Sequence, residues 1–413
     1  MAILLVDMDA FFASVEQAHH EHLRGRPVIV CGDPGRRGVV TAASYEARPF
    51  GVHAGMPVQE ARRLCPHAEF VEGDPEKYVG QSLELLNLYL TFTPDVEPFS
   101  VDEAFVGFVN TDLEEAGRRA AAIQRAILER FALDASIGVG PNKLVAKMGA
   151  GVRKPRGLTV LDEAAFRDTF WPRDIQDLWG VGPRLAERMR SLGFKTVGDL
   201  ARAPDPVLKG EFGIIGPQLR EAAWGRDDTP LTPYHEGAEV KSMGHEVTLG
   251  EDSDEPVYLK GTLLRLADQV ARRLRAEGYV GRTVVLKLRN HRFETCTRQK
   301  ALAEHTCDHE RIYATVRALF EASWKGGPVR LLGVSVASLE KREGAAQTEL
   351  FERDDRRLRL TEAADRVRNK LGEASLVPLG SLTHRGGLRH VPFGAMSGRV
   401  LQKQKAREES PDG

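Results

Sequence analysis

The chain has 413 residues, with 58 Lys and Arg against 59 Asp and Glu, a formal net charge of -1 and 42% hydrophobic residues. That length exceeds what one core organises, so two to four domains are expected. No stretch of about eighteen apolar residues occurs, and the opening Met1-Ala2-Ile3-Leu4-Leu5-Val6-Asp7-Met8-Asp9 carries acids where a signal peptide would be basic, so a cytoplasmic protein without a membrane span is expected. Cys31, Cys65, Cys296 and Cys307 form no CxxC pair, which excludes a disulfide scaffold or zinc ribbon and leaves reduced thiols as the default.

The balanced charge hides a division. Residues 1 to 239 hold 27 basic and 35 acidic side chains, residues 240 to 341 hold 17 and 13, and residues 342 to 413 hold 14 and 11. Between Arg272 and Lys300 nine basic residues meet only Glu277 and Glu294. Such a patch suits a polyanion, because each neutralised phosphate releases counterions.

Ala2 to Val6 is a short apolar run stopping at Asp7, which predicts a buried strand with carboxylates at its C-terminal end. A helix begins near Phe11, and the Gly- and Pro-rich stretch from Pro27 to Pro57, with β-branched segments at Val28 to Val30 and Val39 to Thr41, predicts a small insertion. Helices are predicted over Tyr78 to Thr91, Leu113 to Phe131 and Asn142 to Val152. Strands are predicted at Ala135 to Val139 and on both sides of Ser100-Val101-Asp102-Glu103 within Glu97 to Val109. Strands interleaved with helices indicate an α+β sheet domain. Past Pro172, Leu178-Trp179-Gly180-Val181-Gly182-Pro183 and Phe212-Gly213-Ile214-Ile215-Gly216-Pro217 each precede a helix. Both read as helix-hairpin-helix modules, whose glycines let backbone N–H groups approach a phosphate at a helix N-terminus. Arg226 to Glu239 reads as a linker. Beyond it helices at Leu259 to Ala276 and Arg311 to Trp324, with strands at Thr283 to Leu288 and Leu331 to Val336, predict a smaller α/β domain carrying the basic patch. Asp365 to Leu371 reads as part of a short helix, and Lys403 to Gly413 as disordered.

Asp7, Asp102 and Glu103 are the candidates for chemistry, since two nearby divalent ions need bridging carboxylates from separate strands. Their neighbourhood is specific. Asp7-Met8-Asp9-Ala10-Phe11-Phe12-Ala13-Ser14-Val15-Glu16 is followed in order by Thr41-Ala42-Ala43-Ser44-Tyr45-Glu46-Ala47-Arg48, Ser100-Val101-Asp102-Glu103-Ala104-Phe105, Ile137-Gly138-Val139-Gly140-Pro141-Asn142-Lys143-Leu144-Val145-Ala146-Lys147 and Lys154-Pro155-Arg156-Gly157. This series resembles the Y family of translesion DNA polymerases, of the DinB or polymerase IV kind, over nearly all of residues 1 to 341.

The resemblance implies an α+β multidomain right-hand polymerase. A palm with inserted fingers would span residues 1–165 (fingers about 18–73), a helix-hairpin-helix thumb 166–232, a little finger that holds DNA 233–341, and a clamp-binding peptide and tail 342–413. Asp7, Asp102 and Glu103 would ligate two Mg²⁺ ions, for which Mn²⁺ can substitute, with the Met8 carbonyl helping the triphosphate-side ion; Asp9 would be structural. Phe11, Phe12, Tyr45, Arg48 and Lys154 would meet the dNTP, Arg bidentately and Lys as a point charge. Phe12 would be the steric gate against a 2′-hydroxyl, with Phe11 the core aromatic beside it. Lys143 and Lys147, one helical turn apart, Gly180 and Gly182, and Arg289, Arg292 and Arg298 would contact primer-template DNA. Pro141 stands where family members often carry Ser. Small Val39, Thr41 and Ala42 in the fingers roof imply tolerance of distorted bases. Gln347, Leu350 and Phe351 match a Gln-x-x-Leu-Phe peptide that docks on the sliding clamp. A monomer is expected.

Two other readings of the acids exist. Asp7-Met8-Asp9 fits the opening of a haloacid-dehalogenase-like phosphatase, which leaves the Gly-rich hairpins and the Ser-Val-Asp-Glu turn unexplained. A non-catalytic DNA-binding adaptor of the same fold would have lost metal ligands, and all three are present. His291, Cys296, His305, Cys307 and His309 cluster in sequence, but their spacing fits no standard zinc finger.

Overall fold

A computed structural model of the protein describes residues 1–33, 37–237, 240–342, 353–372 and 375–381. The chain divides into two compact units, with the break between residues 238 and 239. The first contains, in order, β1 (Ala2–Met8), α1 (Phe11–His19), β2 (Val28–Cys31), β3 (Val40–Ala43), α2 (Val58–Leu64), β4 (Glu69–Glu72), α3 (Pro75–Leu90), β5 (Val96–Pro98), β6 (Glu103–Phe108), α4 (Leu113–Phe131), β7 (Ala135–Gly140), α5 (Lys143–Ala150) and β8 (Leu158–Val160). The helices α6 (Glu163–Phe170), α7 (Pro183–Ser191), α8 (Val197–Ala201), α9 (Asp205–Phe212) and α10 (Ile215–Ala223) follow.

The palm sheet has the order β5-β6-β1-β7-β8, and the small fingers sheet the order β3-β2-β4. Because side chains alternate along a strand, β1 feeds two cores at once. Leu4 and Val6 face α1, α3 and α4, while Ile3 and Leu5 face α5 together with Phe105. Asp7 falls on the α5 side by the same alternation. Ala10 then turns the chain at φ 48 directly into α1, a left-handed conformation that costs an L-residue about 1–2 kcal/mol. This turn brings the strand-end acids and the Phe11-Phe12 pair to one place. On the other flank, α5 is capped by the Asn142 side chain, which accepts from the Val145 N–H at 2.9 Å. It lies so close to β7 that a Cβ on Gly138 would stand 2.1 Å from the Ala146 carbonyl oxygen.

The stretch read as a linker is instead fastened to the palm as far as Tyr234. The Thr232 N–H donates to Glu97 at 2.7 Å, and the Tyr234 N–H to the Val96 carbonyl at 2.8 Å. Leu231 packs with Ile3 and Phe105. Its polar and proline-rich composition conceals these ties because they run mainly through backbone groups.

The second unit contains β9 (Ser242–Ser253), α11 (Pro256–Glu277), β10 (Tyr279–Asn290), β11 (Thr295–Thr306), α12 (His309–Ser323), β12 (Val329–Lys341) and α13 (Arg353–Leu371). Its sheet has the order β11-β10-β12-β9. Val284, Leu286, Leu288, Leu332 and Val334 form a core with α11 and α12, and no helix among the described residues packs on the other face of the sheet. Both β9 and β11 escaped the sequence reading because few of their residues are buried. The helix α13 is longer than expected and docks on α11 through Arg275, which holds Asp365 at 2.7 and 3.0 Å, and Arg368, which holds Asp268 at 2.9 and 3.2 Å. No helix among the described residues is long and apolar enough to cross a membrane.

Candidate active site

The antiparallel register of β1 and β6 sets Asp7 directly opposite Glu103, so two carboxylates share one face of the sheet at its end. Like charges in that position repel. Burial pushes the Asp7 carboxyl up to about 7, and Glu103 adds to the rise, while Lys154 opposes both. Lys154 Nζ donates to Asp7 at 2.5 Å, and Lys147 of α5 donates to Glu103. The Met8 N–H donates to the Asp102 carbonyl at 3.0 Å, joining the two strand ends. The Asp102 carboxylate accepts from the Ser100 hydroxyl at 2.6 Å. Behind the acids, the buried Tyr89 hydroxyl stands 3.7 Å from the Met8 sulfur.

The acids line an open cleft of about 580 Å³ whose other walls are Met8, Ala10, Phe11, Phe12, Thr41, Ala42, Ala43, Arg48, His53, Ala54 and Lys154. Phe11 is 3% exposed and belongs to the palm core. The Phe12 ring stacks on Tyr78 with centroids 4.4 Å apart, and Tyr78 donates to the buried Glu16 at 2.7 Å. Tyr45 lies beside the cleft, with its hydroxyl 3.2 Å from Asp9 and the Arg48 guanidinium 4.0 Å above its ring. The small residues Thr41 and Ala42 do line the cleft, whereas Val39 does not. His53 was missed by sequence reasoning, and a lone histidine in a Gly-Val-His-Ala-Gly turn gives no chemical signal.

Among the described residues, no three His, Cys, Asp or Glu side chains gather closely enough to hold a metal ion. Asp7 and Glu103 face each other, and Asp102 is turned to Ser100. The donor set still fits a hard dication. It is all oxygen, and the burial that, with Glu103 alongside, drives Asp7 toward neutrality is what a bound cation would offset. The lysines now on Asp7 and Glu103 partly fill that role.

Several expected DNA contacts change on folding. Lys143 is 6% exposed, grips Glu97 at 2.7 and 2.8 Å, and donates to the Pro230 carbonyl at 3.3 Å. It acts as an internal tie; removing one partner of such a pair costs about 3–5 kcal/mol. Lys147 is committed to Glu103. The two glycine hairpins also differ. Gly180 has φ +96, and open space surrounds Gly182 at the start of α7, whereas a Cβ on Gly216 would meet the Leu208 carbonyl oxygen at 2.3 Å. In the second hairpin Gly216 thus serves close packing of α10 on α9, while Gly213, at φ +64, is open like Gly182. In the second unit, Arg289 lies on the open face of the sheet and Arg292 in the hairpin turn. Arg298 pairs with Leu286 and so lies on the helix side of the edge strand. Gln347, Leu350 and Phe351 lie outside the described residues.

Comparison with known proteins agrees with this geometry. Residues 6–151 match the impB/mucB/samB family, residues 163–194 the HHH motif of that family, and residues 240–350 its C-terminal domain. The chain is 42% identical over 395 residues to the DNA polymerase IV of Pelotomaculum thermopropionicum, covering 94% of this chain and 97% of that one. It is 42% identical over 392 residues to the DNA polymerase IV of Moorella thermoacetica, covering 94% and 98%. Among solved structures, a Y-family DNA polymerase chimera superposes with a TM-score of 0.73 at 26% identity, covering 82% of this chain and 99% of that chain. DinB from Sulfolobus solfataricus gives a TM-score of 0.57 at 26% identity, covering 82% and 98%.

These matches span both units and show a DNA-directed DNA polymerase, a class that works with divalent cations on primer-template DNA and dNTPs. The chain belongs to the Y family of these enzymes, the impB/mucB/samB family.

Proposed function

We propose that this enzyme copies damaged DNA at low fidelity, by two-metal nucleotidyl transfer with Mg²⁺, for which Mn²⁺ can substitute. The observation that carries the reading is the cleft itself: Asp7 and Glu103 stand opposed at one end, Lys154 and Arg48 lie beside them, and the fingers wall is made of Thr41, Ala42 and Ala43. Walls of small residues press little on a nascent pair, which favours lesion tolerance at the expense of selectivity.

Asp7, Asp102 and Glu103 would hold the two ions, with the Met8 carbonyl on the triphosphate side. Bound there, the ions would supply charge that lowers the pKa of the primer 3′-hydroxyl and stabilises the leaving pyrophosphate. The protein's own part is position and charge. Arg48, Tyr45 and Lys154 hold the triphosphate, and Lys154 leaves Asp7 to do so. Phe12, braced by Tyr78, lies against the deoxyribose and excludes a 2′-hydroxyl. Phe12→Ala should then raise ribonucleotide use while largely sparing dNTP use.

In this reading the palm and fingers span residues 1–165 and the thumb 166–232; the little finger, expected from residue 233, begins only after the break at residue 238, because Thr232 and Tyr234 are tied to the palm, and runs to 341. The protein works as a cytoplasmic monomer. Gly180, Gly182, Arg289 and Arg292 serve the DNA backbone, and Arg298, on the helix side of the edge strand, contributes less. The Gln347-Thr348-Glu349-Leu350-Phe351 peptide docks on a sliding clamp, and replacing Leu350 and Phe351 with Ala should remove stimulation by a loaded clamp without altering distributive extension. The central test is primer extension in Mg²⁺ on matched templates with and without a blocking lesion. Synthesis past the lesion with frequent misinsertion is the expected result. Accurate synthesis that halts at every lesion would overturn the translesion assignment.

A further inference from the structure

Asp9 is 1% exposed, and the motif it belongs to leaves it a structural role only. Its carboxylate gathers donors from three parts of the first unit. Ser136 of β7 donates at 2.9 Å from both oxygens, the Arg156 N–H donates at 2.8 Å, and the Tyr45 hydroxyl donates at 3.2 Å. Tyr45 belongs to the fingers and carries Arg48 on its ring at 4.0 Å. Arg156 follows Lys154 by two residues, on the loop between α5 and β8, and stands at φ 60, a conformation an L side chain seldom adopts without support. That support is Asp9 on its N–H and Asp134 on its guanidinium at 2.8 Å.

We propose that Asp9 is a positioning residue that sets Tyr45, Arg48 and Lys154 together for the triphosphate of the incoming nucleotide. The proposal rests on the reading of those three as the triphosphate's holders. One buried carboxylate is thereby tied to the fingers and to the lysine loop, so neither can shift without breaking a bond to it. A carboxylate is needed because three donors converge: its two oxygens only accept, whereas an amide would offer one acceptor and turn N–H groups toward the remaining donors. Asp9 touches no reacting atom, and its effect is confined to where its neighbours stand.

The test compares Asp9→Asn, Ser136→Ala, Tyr45→Phe, Lys154→Ala and the Asp9→Asn/Tyr45→Phe double variant in the full-length enzyme with Mg²⁺ and primer-template. KM for dNTP, kcat, DNA affinity and thermal midpoint are measured. Asp9→Asn should raise KM for dNTP about tenfold with a much smaller change in kcat and none in DNA affinity. Ser136→Ala should move KM in the same direction by less, and the double variant should be little worse than the worse single one, since both changes break the same link. If Tyr45→Phe and Lys154→Ala leave KM unchanged, the underlying assignment of the triphosphate site is wrong. If those two raise KM while Asp9→Asn lowers only the thermal midpoint, the positioning role is refuted. Should Asp9→Asn fail to fold, Ser136→Ala decides: a parental KM there overturns the proposal.

Discussion

In the palm sheet, Asp7 and Glu103 face each other at 14% and 15% side-chain exposure, and each is already held by a lysine. In the sheet of the second unit, Lys287 and Arg289 stand on an open face among Gly244, Gly333, Ser335 and Thr297, with Lys287 held by Glu246 at 2.6 Å. The first arrangement concentrates like charge where water is scarce, so each group matters greatly and a dication is the natural relief. The second spreads opposite charge over a solvated surface of small residues that lets a phosphate backbone come near, so each group matters modestly and salt weakens them all. The proposed function thus assigns chemistry and grip to sheets of opposite electrostatic character.

The sharpest break of this contrast is in the palm. Asp102→Ala or Glu103→Ala should lower single-turnover primer extension by about a thousandfold or more, with DNA affinity by fluorescence anisotropy nearly unchanged. Packing should differ in the same sense. Gly138→Ala, whose new Cβ would stand 2.1 Å from the Ala146 carbonyl oxygen, should destabilise the palm by about 3 kcal/mol in urea unfolding. Gly250→Ala in β9, where nothing lies within 4 Å, should stay within about 0.5 kcal/mol of the parent.

On the open sheet the effects should be graded. Arg289→Ala should weaken DNA binding severalfold and reduce the slope of log affinity against log salt by about 1. Arg298→Ala, on the helix side, should change that slope less. The smallest effect concerns pH. With Asp7 at about 7 in the folded chain against 3.8 for an ordinary aspartate, the folded state keeps a proton that the unfolded state gives up between those values. Metal-free protein should therefore lose stability as pH rises from about 4 to 7. Asp7→Asn, in chelator at pH 8, should melt a few degrees higher than the parent while losing extension activity. An equal or lower midpoint would show that Lys154 already neutralises the site.

The palm was legible because its signals are local. The apolar run Ala2 to Val6 and the helix Leu113 to Phe131 match the observed elements closely, since buried strands and capped amphipathic helices write their periods into the sequence. The acids were legible as strand-end residues, and the register that opposes Asp7 to Glu103 completes them. What stayed hidden depends on tertiary contact. Lys143 looks like any basic helix residue until Glu97 closes on it. Gly216 looks like Gly182 until Leu208 packs over it. The strands β9 and β11 expose most of their side chains and so lack an apolar period. The segment after residue 226 is tied down through backbone donors that no residue type announces.

The helix α13 has a consequence for how such a chain can change over generations. Arg368 and Asp268 are 7% and 12% exposed and hold each other, as do Arg275 and Asp365 at 8% and 16%. A chain ending at residue 342 would leave Asp268 and Arg275 on α11 without those partners, and a stranded buried charge costs several kcal/mol. Truncation before α13 should therefore destabilise the second unit unless residues 90 to 100 positions upstream on α11 are replaced as well. The helix beyond the last strand is thereby coupled to α11 through the charges it covers.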